Sequence, residues 1–73
     1  MTVRLEFMIV NGQGNIIQNW MTAEGSVMND PQTYIPKAYY IKNRHSDSNI
    51  HTQKIARVRV IDEQTNRIVD LIQ

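Results

Sequence analysis

Residues 55–72 read IARVRVIDEQTNRIVDLI, and no other stretch limits the fold as tightly. Side chains alternate between the two faces of a strand, so a hairpin register must match residue kinds on both faces at once. Setting Asp62 against Arg67 brings Ile61 opposite Ile68, Val60 opposite Val69, Arg59 opposite Asp70 and Val58 opposite Leu71. Apolar residues then meet apolar residues, and Arg59 with Asp70 forms a cross-strand ion pair. Residues 63–66 make the connection, with Asn66 taking the left-handed conformation that a type I turn followed by a bulge requires. This stretch says how part of the chain folds, and it names no chemistry.

Upstream, VRLEFMIV at residues 3–10 alternates Val3, Leu5, Phe7 and Ile9 on one face, the pattern of a strand. Arg4 and Glu6 begin the other face, but Met8 and Val10 end it as apolar, so its distal half is expected to meet a second layer or another subunit. NGQGN at residues 11–15 is a turn. The next segment, IIQNWM, reads as a strand completing a hairpin, with either Ile17 or Ile16 opposite Ile9 and Trp20 packed by part of an apolar loop. The rival reading is a helix over residues 16–24, with Asn15 as its N-cap and Gly25 as its stop. Residues 26–36 contain Asn29, Asp30, Pro31 and Pro36 and read as an ordered loop folded back over the core. KAYYIK at residues 37–42 reads as a strand, residues 43–49 as a polar loop, and a further strand runs from about residue 53 to Ile61.

The expected fold is therefore mainly β: a small antiparallel meander or open barrel of about five strands, with strands at 3–10, 16–22, 37–42, 53–61 and 67–72. The alternative is α+β, a helix near 16–24 on a four-stranded sheet. Seventy-three residues allow one compact domain, 1–73, near the lower limit for independent stability. Its expected core is Leu5, Phe7, Ile9, Val58, Val60, Val69 and Leu71. With 41% hydrophobic and 21% charged residues the chain suits a folded domain. It has no cysteine, which excludes disulfides and thiolate metal sites and leaves the compartment open, the cytoplasm being favoured. With neither a 20-residue apolar run nor a basic-then-apolar amino terminus, a membrane span or an intact signal peptide is not expected.

Catalytic chemistry finds little support. His45, Asp47 and His51 sit in a polar loop without a third well-spaced ligand, so no metal, cofactor or acid-base site is expected. NGQGN contains G-x-G but lacks the third glycine and following βα unit of a nucleotide loop. Asp62, Glu63 and Asp70 divide between a turn and a cross-strand pair. The chain is read as a non-enzyme.

Two binding readings remain. Met8, Val10, Ile61, Ile68 and Ile72 form a second apolar surface beyond what one small core hides, which favours a protein-interaction or structural module that self-associates as a homo-oligomer. The alternative partner is nucleic acid. The net charge of +1 hides a basic centre: residues 37–59 hold Lys37, Lys42, Arg44, Lys54, Arg57 and Arg59 against Asp47 alone. With Tyr39 and Tyr40 these form a candidate basic strip, its cations for phosphates and its rings for bases.

Overall fold

The computed structural model describes residues 1–44 and 53–73. In chain order the elements are β1 (Thr2–Asn11), β2 (Ile16–Met28), α1 (Pro31–Asn43), β3 (Gln53–Asp62) and β4 (Ile68–Ile72). The strands form one antiparallel sheet in the order β2-β1-β3-β4. β2 and β4 are its outer strands, so the sheet is open rather than closed into a barrel. The mainly β reading holds, with four strands and one helix among the described residues.

The segment 16–22 is extended, as expected, and continues to Met28. The turn before it is built by Asn11, whose Oδ1 accepts from the backbone N–H groups of Gln13 and Asn15, both at 2.9 Å. Gly14 takes φ +86°, a conformation that glycine adopts without a Cβ penalty. Neither proposed β1–β2 register is the one adopted: Ile9 lies opposite Gln18 and Val10 opposite Ile16, because the pairing shifts by a residue at four places along β2.

The expected strand at 37–42 and the loop before it are instead one helix. Asp30 is its N-cap, extended at φ −141° and ψ 120°, its carboxylate accepting from the Gln32 N–H and the Thr33 hydroxyl. Pro31 follows at the first helical position, where its missing N–H removes nothing. Tyr34, Ala38 and Ile41 recur at helical spacing and are all buried. That burial overrides the local bias of Pro36, which sits inside the helix and cannot donate to the carbonyl of Gln32. The tertiary face outweighs the pre-proline rule on which the loop reading rested.

α1 lies over one face of the sheet, where Val3, Leu5, Val27, Ile55, Val58, Val60 and Ile72 complete the buried cluster and Phe7 and Ile9 pack at its margin. The expected core needs one correction. Val69 and Leu71 are each 41% exposed, and Ile72 is buried in their place. Ile61 does face Ile68, and the Asp62 N–H does bond to the Arg67 carbonyl at 2.9 Å. Beyond that pair, however, Val60 meets Asp70, Arg59 meets Leu71 and Val58 meets Ile72. Val69 is the extra residue of a bulge, and a one-residue shift moves every later side chain to the opposite face. The turn residue Asn66 has φ +62°, as the sequence predicts.

Candidate functional site

The face of the sheet away from α1 is set by register. On β1 it carries Arg4, Glu6, Met8 and Val10, paired across β3 with Ile61, Arg59, Arg57 and Lys54 respectively. Ile68 and Leu71 extend it onto β4, and Thr22 and Ile16 onto β2. Among the described residues no helix or strand covers it.

Its centre is a charge cluster. The buried Glu6 carboxylate accepts from Arg4 Nε at 2.8 Å and from Arg59 Nε at 2.6 Å. Arg4 also donates to the Asn66 side-chain carbonyl in the β3–β4 turn. The Arg59 guanidinium lies 4.3 Å from the centre of the Trp20 ring, within cation–π range. Burial alone would raise the Glu6 pKa, but the hydrogen bonds and charges of Arg4 and Arg59 outweigh it and hold the carboxyl below its ordinary value. Trp20 is therefore engaged on the open face, not packed by residues 26–36 as the sequence suggested. The expected Arg59–Asp70 pair is replaced as well: Arg59 turns to Glu6, and Asp70 accepts from the Tyr34 hydroxyl at 3.3 Å.

The five residues expected to make a protein interface separate by burial. Met8, Val10, Ile61 and Ile68 belong to the open face, whereas Ile72 lies in the core under α1. Val10 and Ile61 are also buried within the single chain. Ile68, 58% exposed, and the half-buried Met8 retain solvent-exposed apolar area. Sequence reasoning missed the exposure of Val69 and Leu71, which the bulge turns outward, and of Ile16 at the start of β2. A bulge leaves no composition signal in a five-residue strand, so alternation alone could not reveal it.

The basic strip divides in two. Lys37, Tyr39, Tyr40 and Lys42 are on α1 with Arg44 at its C-cap, while Lys54, Arg57 and Arg59 lie on the opposite side of the sheet. Tyr39 and Tyr40 are exposed, and Lys37 reaches Glu24 of β2 at 3.3 Å. Arg59 is paired with Glu6, a carboxylate it shares with Arg4. Lys54 and Arg57 are exposed, with no carboxylate at ion-pair distance among the described residues. The pattern that joined these residues in sequence was a run of charge, which carries no information about the sheet lying between them.

His45, Asp47 and His51 lie outside the described residues. Among the described residues no group of three or more histidines, cysteines or carboxylates is placed to hold a metal ion, and no helix is long and apolar enough to cross a membrane. Comparison with protein-family models, curated proteins and solved structures finds no match to this chain.

Proposed function

We propose that the protein acts without catalysis, by associating with other protein chains, and in the first place with a second copy of itself through β4. The observation that carries this reading is the exposure of Ile68, Val69 and Leu71, at 58%, 41% and 41%, on an outer strand. Outer strands present unpaired backbone groups, and proteins commonly blunt them with lysine, proline, short length or bulges. β2 is interrupted by four register shifts, which bend it away from regular pairing. β4 has no lysine or proline, only its short length and a single bulge.

Self-pairing is the favoured use of such an edge. Two β4 strands meeting antiparallel about a two-fold axis join two four-stranded sheets into one, and each copy offers the other the same surface. Ile68 and Leu71 of both copies then share the open face. The single charge in β4, Asp70, is held by Tyr34 on the helix-covered side, which limits like-charge repulsion across the pair.

Sedimentation equilibrium over a broad concentration range tests this reading. The mass is expected to rise toward that of a dimer, and Ile68→Asp to hold the chain monomeric with an unchanged far-ultraviolet circular dichroism spectrum. A parent protein that stays monomeric at the highest concentration, or an Ile68→Asp variant that still dimerises, overturns it.

A further inference from the structure

The open face has a second built feature, away from β4. β4 pairs with β3 only over Val58, Arg59, Val60 and Ile61. The earlier part of β3 therefore has no strand along its outer edge among the described residues. At this end of the sheet a groove of about 380 Å³ runs across β3, β1 and the start of β2, with Met8, Val10, Ile16 and Ala56 as apolar lining and Lys54 and Arg57 as cationic lining. Gly14, in the β1–β2 turn, closes one end.

The backbone is shaped beneath it. β1–β2 pairing shifts between Phe7 and Ile9 and again between Ile9 and Val10, and β1–β3 pairing shifts between Met8 and Ile9, leaving Ala56 as an extra residue beside Arg57. Three irregularities thus converge on one short length of β1. Bulges increase local twist and re-aim side chains, and they are over-represented at sheet edges and next to active sites. Here they bring an extra alanine and its neighbouring arginine to the same groove.

We propose that this groove binds a small amphipathic anion: one carboxylate or phosphate head on a short apolar body. The head lies between Lys54 and Arg57, which directly oppose Val10 and Met8 across the strand pair. The body lies on Val10, Met8 and Ile16, the last of them 56% exposed and so available for contact. The volume is in the range of small-molecule sites, where an apolar lining supplies contact area and a few polar groups fix orientation. Two cations without a carboxylate partner among the described residues select an anion over a neutral amphiphile. The groove lies beyond the reach of β4, so this proposal and self-association through β4 fail independently.

The test is a nuclear magnetic resonance titration of the full chain with octanoate, octyl phosphate and octan-1-ol in parallel. Saturable shifts are expected at Met8, Ile16, Lys54 and Arg57 with at least one anion, and the two anionic arms tell a carboxylate head from a phosphate head. The double substitution Lys54→Gln with Arg57→Gln, both at exposed positions, should weaken binding about tenfold or more. Ile16→Asp should abolish it while the remaining spectrum stays that of the folded protein. Absence of saturable shifts, equal binding of octan-1-ol, or indifference to the double substitution overturns the proposal. A single-stranded oligonucleotide that perturbs the same residues at lower concentration overturns it in favour of a nucleic-acid surface.

Discussion

Arg59 and Glu6 face each other across the two central strands, with Arg59 Nε donating to Glu6 Oε1 at 2.6 Å. Arg4 completes the pair into a triad, and Trp20 lies against Arg59. The only tryptophan in the chain thus reports on the charge cluster of the open face.

Glu6→Gln leaves two arginines facing a neutral amide. It should lower stability by about 2 kcal/mol at neutral pH, since removing one partner strands the others with their desolvation uncompensated. The folded-state pKa of Glu6 is depressed. Its contribution is therefore present above the unfolded carboxyl pKa and lost as pH falls through the lower folded value. Urea unfolding at neutral and acid pH should show the parent converging on the variant in acid. Trp20 fluorescence should change with the substitution.

Val60→Ala and Val69→Ala separate the observed register from strict alternation. Val60 is fully buried and should cost about 2 kcal/mol when truncated, because a cavity remains. Val69 stands out on the bulge and should cost less than about 0.5 kcal/mol. Equal losses in urea unfolding would contradict the shifted register.

Asp30→Ala removes the N-cap of α1. A loss of about 1 kcal/mol is expected, with faster amide exchange in the first turn of α1 than in the second. Unchanged exchange at Gln32, Thr33 and Tyr34 would show that the cap is dispensable.

Tyr34→Phe deletes the hydroxyl that donates to Asp70 and ties α1 to β4. About 1 kcal/mol should be lost. Burial first, and then the charge and hydrogen bond of Asp70, raise the pKa of this phenol above its ordinary 10.0. Its stabilising contribution is full below the unfolded pKa and disappears as pH rises through the folded one. Urea unfolding at neutral and alkaline pH should show the parent converging on the variant as pH rises.

The sheet was legible where alternation and turn chemistry agree: β1, the Asn11 turn, the first half of β2, β3 and the positive φ of Asn66 all follow from local pattern. The helix was legible in principle, since Asp30-Pro31 is a cap followed by a first-turn proline and Tyr34, Ala38 and Ile41 keep helical spacing. Pro36 concealed it, because local backbone bias points one way and tertiary burial the other. Bulges were not legible. They decide which of Val69, Leu71 and Ile72 face solvent, and so they decide most of the candidate site. Alternation placed Met8 and Val10 on the face of β1 that carries Arg4 and Glu6, as observed, while the division of the basic strip depended on where the helix falls.

The strand order 2-1-3-4 also has a kinetic meaning. Each hairpin, β1 with β2 and β3 with β4, forms from neighbours in sequence, whereas β1 and β3 join residues as distant as Val3 and Asp62. Closing that long loop loses chain entropy before any long-range contact compensates for it. The slow event in folding is thus expected to be the mating of the two hairpins along the β1–β3 seam, with α1 in the segment that connects them. Weakening Leu5 against Val60 at that seam should slow refolding in stopped-flow kinetics, whereas trimming Ile68 or Leu71 at the rim should leave the refolding rate nearly unchanged.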